Sequence, residues 1–88
     1  MIDTRGVFAI SIAAERAGMQ IQNLRVYERR GLIEPARTPG GTRLYSEADI
    51  TLLRRIAELL AEGLNLAGIR RVLELEDDVA ELRRRLGD

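Results

Sequence analysis

The stretch Leu24-Arg25-Val26-Tyr27-Glu28-Arg29-Arg30-Gly31-Leu32-Ile33-Glu34-Pro35-Ala36-Arg37-Thr38-Pro39-Gly40-Gly41-Thr42-Arg43-Leu44-Tyr45 changes period partway along, and that change decides the fold. Up to Gly31 it reads as the later part of a helix over residues 20–30, with Ile21, Leu24 and Glu28 on one face. Gly31 supplies the left-handed residue that closes such a helix. Residues 32–38 then read as extended, Pro39-Gly40-Gly41 as a tight turn, and residues 42–45 as an alternating return strand. A β-hairpin therefore follows the helix directly.

Toward the N-terminus, Val7-Phe8-Ala9-Ile10 is a short apolar run that predicts a strand after a loose lead-in over residues 1–6. Ser11 stands where its hydroxyl can cap a first helix over residues 12–17, with Ile12, Ala13 and Ala17 on one side and Gly18 ending it. Two short helices joined at Gly18-Met19 form a helix-turn-helix pattern. Beyond the hairpin, Ser46 with Asp49 three residues on approximates a capping box, and Ile50, Leu53, Ile56, Ala57 and Leu60 make a buried stripe up to Gly63. Asn65 caps a last helix predicted to run to about Leu86, with Leu66, Ile69 and Leu73 packing back on the body.

Val72, Leu75, Val79, Leu82 and Leu86 follow the alternating three- and four-residue spacing of a coiled-coil seam between charged flanks. The seam reads either as a homodimer interface or as an intrachain stripe. Two heptads make a marginal coil, so the free protein is expected to associate weakly and to pair fully on its target. The expected fold class is mainly α with a small β-hairpin wing: a winged helix-turn-helix followed by a C-terminal dimerisation helix. The expected division is 1–64, with the wing at about 32–45, and 65–88 for the last helix, second wing and coiled coil.

Composition narrows the chemistry. The chain has 88 residues with neither cysteine nor histidine, which removes disulfides, thiol sensors, zinc fingers and imidazole catalysis. The aromatics are Phe8, Tyr27 and Tyr45, too few for a stacking platform on single strands. No apolar stretch is long enough to span a membrane, and the charged start does not read as a signal peptide, so a cytoplasmic protein is expected. Glu76-Asp77-Asp78 lacks the ligand spacing of a calcium loop, and Gly40-Gly41 lacks the context of a phosphate loop. No enzyme site, cofactor or metal is expected.

The net charge of zero conceals an asymmetry. Residues 1–55 carry nine arginines against six acids, and residues 56–88 five against eight. All 14 basic residues are arginine. A basic front suggests an anionic partner there, while the arginine-only choice is equally explained by GC-rich coding DNA.

The constellation fits duplex DNA. A helix end in the major groove presents side chains to base edges, and the candidates are Gln20, Gln22, Asn23 and Val26. Candidates for phosphate contact are Arg16, Arg25, Arg29 and Arg30 around the second helix and Arg37 and Arg43 on the hairpin, whose glycine tip carries little bulk. Glu28 is expected to be structural, since a carboxylate near phosphate is repelled; it would pair with Arg25, Arg29 or an arginine elsewhere. Arg83-Arg84-Arg85 reads as a solvated helix terminus or an interchain charge pair.

The run from Leu24 to Pro35 resembles the signature of the MerR family, and the run from Arg37 to Ile50 resembles that family's wing and next helix. The resemblance covers roughly residues 7–75. Within the family, Ile10-Ser11-Ile12-Ala13-Ala14-Glu15-Arg16-Ala17-Gly18-Met19 and Glu62-Gly63-Leu64-Asn65-Leu66-Ala67-Gly68-Ile69-Arg70-Arg71-Val72 resemble the heat-shock repressor branch. The resemblance implies a winged-helix regulator that dimerises through an antiparallel coiled coil and binds an inverted repeat. It implies DNA contacts at Asn23, Arg25, Tyr27, Arg43, Tyr45 and Arg70. Asn23 stands where the family often has threonine, and Val26 where many members have tyrosine, so the operator is expected to differ. Family activators carry an effector domain beyond the long helix and metal sensors carry cysteines there; neither is expected here. An activator of this family untwists an over-long promoter spacer, a deformation of about 1–6 kcal/mol.

Repression is the expected outcome, with double-stranded DNA as partner, a second copy of the chain, and a chaperone or other protein as a further partner. Two rival readings stay open. One is an architectural, excisionase-like protein coating tandem sites. The other is a protein-interaction adaptor acting through the C-terminal helix. Tyr27 and Tyr45 likewise read either as phosphate contacts or as rings at the edge of the core with solvated hydroxyls.

Overall fold

The computed structural model of the chain describes residues 3–87, so Met1 and Ile2 of the expected lead-in and Asp88 of the expected C-terminal region lie outside the described residues. The elements run α1 (Ile10–Ala17), α2 (Ile21–Arg29), β1 (Ala36–Arg37), β2 (Arg43–Leu44), α3 (Glu47–Ala61) and α4 (Leu66–Gly87). The chain forms two compact units, one up to Ala57 and the other from Glu58 onward.

In the first unit, α1 begins at Ile10, earlier than the sequence suggests. Its N-cap is Ala9, with no side-chain cap, and Ser11 lies inside the helix. The start is set from a distance. Phe8 pairs with Tyr45 in an antiparallel bridge, its N–H donating to the Tyr45 carbonyl at 2.9 Å and its carbonyl accepting from Tyr45 N–H at 2.7 Å. The backbone is thus fixed immediately before Ala9, whose carbonyl accepts the Ala13 N–H at 3.0 Å. The strand expected over residues 7–10 contracts to that one bridge.

Helix α1 ends at Gly18, in the left-handed conformation at φ 72°. Gly18 N–H donates to Glu15 and Met19 N–H to Ala14, the paired closing bonds that turn the chain sharply into α2. Gly31 and Leu32 close α2 in the same manner, on Glu28 and Tyr27. Helices α1 and α2 pack together, with Ala13, Ala14, Leu24 and Tyr27 buried. The two alanines keep α1 thin on its inner side. Ile12, expected on that side, is exposed.

The wing is short. Ala36 pairs with Leu44 and Arg37 with Arg43, antiparallel. At its tip Thr38 N–H donates to the Thr42 carbonyl and Thr42 N–H to Thr38 Oγ1. Hairpins of this size are marginal alone, and the lead-in supports this one. Ala48 N–H donates to the Asp3 carbonyl at 3.0 Å, and Arg5 closes on the Asp3 carboxylate at 2.7 Å, holding that carboxyl down at about 2. Gly6 lies so close to the wing that a Cβ there would stand 2.8 Å from the Leu44 carbonyl oxygen. From Asp3 onward the expected loose lead-in is therefore tethered.

Helix α3 opens with the reciprocal cap that the sequence suggests. Ser46 N–H donates to Asp49 Oδ2 at 2.9 Å and Asp49 N–H to Ser46 Oγ at 3.0 Å. Its buried row is Ile50, Leu53, Ile56 and Leu59, whereas Leu60 is exposed. Three-residue steps slant across a helix of about 3.6 residues per turn, so the row ends one residue earlier than expected. In the second unit, Asn65 Oδ1 accepts the Gly68 N–H at 2.8 Å and caps α4 as expected. Ile69 is buried, Leu66, Val72 and Leu73 are half-buried, and the helix from Glu74 to Gly87 is exposed on every side. No helix among the described residues is long and apolar enough to cross a membrane.

Candidate nucleic-acid interface

Helix α2 divides its surface cleanly. At about 100° per residue, Leu24, Tyr27, Ile21 and Glu28 occupy one arc. Leu24 and Tyr27 are buried there, and Ile21 and Glu28 are half-buried. The opposite arc carries Gln22, Asn23, Arg25, Val26, Arg29 and Arg30, all exposed except the half-buried Val26. Gln20 is exposed too and serves as N-cap through its backbone, its carbonyl accepting the Asn23 N–H at 3.0 Å. Arg25, Arg29 and Arg30 pair with no carboxylate among the described residues. The outer arc thus presents amide groups and unneutralised guanidiniums together.

Beside α2 stands the wing, joined to it through Glu28. Arg37 Nη2 donates to Glu28 Oε2 at 2.8 Å, and Arg43 Nε donates to Glu28 Oε1. The Glu28 side chain is 19% exposed, against 47% for Arg37 and 37% for Arg43. Arg37 also donates to the Gly41 carbonyl at 3.2 Å, which braces the wing tip. Arg25, Glu28, Arg29 and Arg43 line one open hollow where helix and wing meet.

The remaining expected contacts are placed differently. Arg16 is engaged with Glu47 at 2.8 Å and lies 4.6 Å over the Phe8 ring, and its carbonyl accepts two hydrogen bonds from Arg54. It ties α1 to α3 while its side chain stays 40% exposed. Tyr45 is fully buried, and its hydroxyl is shut off from solvent with no hydrogen-bond partner. Its ring supports the wing from within instead of presenting a donor on the surface. Tyr27 is nearly buried. Burial raises both hydroxyls above their ordinary value, and the neighbouring Glu28 carboxylate adds to the effect on Tyr45. Arg70 is exposed on α4, in the second unit. On α4, Leu75, Val79, Leu82 and Leu86 are exposed, and Val72 is half-buried.

Three features escaped the sequence. The partners of Glu28 are nine and fifteen residues away, across a hairpin, where no helical spacing could name them. Arg54 meets α1 from 38 residues away, with no local signal. Gly6 reads as lead-in until the proximity of Leu44 is known.

The sequence and the fold match known proteins. The model of the MerR HTH family of regulatory proteins matches residues 8–76. The heat shock protein HspR of Streptomyces coelicolor is 51% identical over 83 residues, which is 93% of this chain and 55% of that protein. The HTH-type transcriptional regulator GlnR of Bacillus cereus is 37% identical over 75 residues, 85% of this chain and 58% of that protein. The chain therefore spans little more than half the length of these curated relatives. Among solved structures, the transcription regulator PbrR691 of Ralstonia metallidurans, crystallised with lead(II), superposes with a TM-score of 0.76 at 29% identity, over 92% of this chain and 76% of that one.

Proposed function

The chain belongs to the MerR family of helix-turn-helix regulatory proteins, and from that premise we propose that it binds duplex DNA as a homodimer on an inverted repeat and represses transcription by occupying the promoter. The observation that carries this reading is the outer arc of α2, where exposed Gln22 and Asn23 lie among the unneutralised Arg25, Arg29 and Arg30. An amide side chain can meet adenine in two hydrogen bonds, and guanidiniums bind phosphates without reading sequence. Gln20, Gln22, Asn23 and Val26 are assigned to base edges. Arg25, Arg30, Arg37 and Arg43 are assigned to phosphates, with Arg70 as a further phosphate contact from α4. The repressor role is taken from the resemblance of residues 10–19 and 62–72 to the heat-shock repressor branch.

The exposed apolar seam on α4 supports pairing. Glu74, Glu76, Asp77 and Asp78 flank its first part, and Arg83, Arg84 and Arg85 its last. A second copy running antiparallel about Val79 sets Val72 against Leu86, the direction that the family resemblance implies.

The test is selection of random duplexes on the protein, followed by sequencing of the retained DNA. An inverted repeat supports the reading. Direct repeats would replace it with architectural coating of tandem sites. No retention even at low salt would replace DNA with a protein partner.

A further inference from the structure

Glu28 presents a contradiction that the geometry resolves. It is a carboxylate on the helix that would face phosphates, where simple electrostatics makes it a hindrance. Yet both its oxygens are engaged, each by an arginine of a different wing strand. Those arginines are direct cross-strand partners, Arg37 opposite Arg43. Like charges directly opposite one another destabilise a strand pair, and this hairpin has only two pairs. One carboxylate between two guanidiniums offsets that repulsion. It also fixes the side chain of α2 to both strands, so helix and wing hold one relative position.

We propose that Glu28 is a positioning residue for DNA binding: by clamping Arg37 and Arg43 against α2, it holds the wing guanidiniums ready for phosphate, so that this acidic residue strengthens binding to a polyanion. The inference rests on the duplex-DNA reading given above. The clamp leaves donors free. A guanidinium has five N–H groups, and the bond from Arg43 to Glu28 uses only the one on Nε. The terminal nitrogens of Arg43 stay available, and both arginines remain partly exposed. A wing without the clamp would have to order two long side chains on binding, which opposes association.

The proposal and plain electrostatics predict opposite signs, which makes the test sharp. Glu28→Gln removes one negative charge and keeps the shape. Its affinity for the selected duplex, with thermal unfolding recorded alongside, is compared with that of the unaltered chain across a salt series. The expected result is about tenfold weaker binding, as for the removal of one or two charge-assisted hydrogen bonds. The slope of log affinity against log salt should also become shallower by about 0.9 for each phosphate that is no longer neutralised. Equal or tighter binding with an unchanged slope would overturn the proposal.

A second measurement separates positioning from folding. In a background of Arg37→Gln with Arg43→Gln, adding Glu28→Gln should leave affinity unchanged or raise it, because the groups it acts through are gone and only its repulsion of phosphate is left to remove. A further tenfold loss in that background would also overturn it. If the unaltered chain itself shows no salt-sensitive retention of duplex, the DNA reading fails. If it binds and Glu28→Gln binds as well, only the clamp fails.

Discussion

The N-terminal unit and helix α4 carry the same kind of apolar patterning and use it differently. Up to Ala57, apolar side chains close on one another: Ala13, Leu24, Tyr45, Ile50, Leu53 and Ile56 are all essentially inaccessible. On α4 only Ile69 is so buried, while Leu75 is 46% exposed, Leu82 54% and Leu86 87%. The first region specifies itself. The second is a helix with an Asn65 cap, exposed ion pairs Arg71–Glu74 and Arg85–Glu81, and an apolar stripe left over. Under the proposed function that stripe meets a second copy.

The difference can be tested directly, because both tyrosines, Tyr27 and Tyr45, lie in the first unit and report on it alone. In urea unfolding followed by tyrosine fluorescence, Leu24→Ala should lose about 2–5 kcal/mol, the usual cost of emptying a core site. Leu82→Ala should change the same signal by less than about 0.5 kcal/mol, as for an exposed position. Equal effects would erase the distinction between the regions.

Gly6→Ala comes next in size. The added methyl collides with the Leu44 carbonyl, and the tethered segment must shift, at about 1–3 kcal/mol by the same assay. An unchanged midpoint would show that the lead-in is loose after all.

Tyr45→Phe should act in the opposite direction. The hydroxyl is buried without a partner, so its removal should gain about 1 kcal/mol. The same change should alter the pH profile. With the folded hydroxyl raised above its ordinary value of 10, the folded state keeps a proton that the unfolded chain releases. Stability is therefore intact below that value and falls as pH rises above it. Tyr45→Phe should flatten the fall in part, with Tyr27 supplying the rest. A loss of stability in Tyr45→Phe at neutral pH would mean that the hydroxyl has found a partner.

Smallest is Asn65→Ala. Losing the α4 cap should lower stability by about 0.5–1 kcal/mol, visible in far-ultraviolet dichroism and nearly silent in tyrosine fluorescence. A matching shift in both signals would mean that the two units unfold as one.

These regions also differ in what could be read from sequence. Helix ends at Gly18, Gly31 and Gly63, the Ser46–Asp49 cap and the Asn65 cap were legible because each depends on residues within one turn of each other. The start of α1 was not, because Tyr45 fixes Phe8 from far along the chain and leaves Ser11 nothing to cap. On the candidate interface, the outer arc of α2 followed from helical spacing. The surroundings of Arg16, Tyr45 and Glu28 did not, since each is determined by another element: Glu47 on α3, the packing around the wing, and the paired wing arginines. Local chemistry announced which residues were charged, and tertiary contacts decided which charges remained available.

The central claim is that two self-contained DNA-reading units are joined by the otherwise exposed face of α4. Counting chains bound to one selected duplex, by sedimentation equilibrium with labelled DNA, tests it most directly. The account predicts two chains per duplex for the unaltered protein and single occupancy, with weaker binding, when Leu75 and Leu82 are both changed to Glu. One chain per duplex for the unaltered protein, or two for the doubly substituted one with affinity intact, would contradict it.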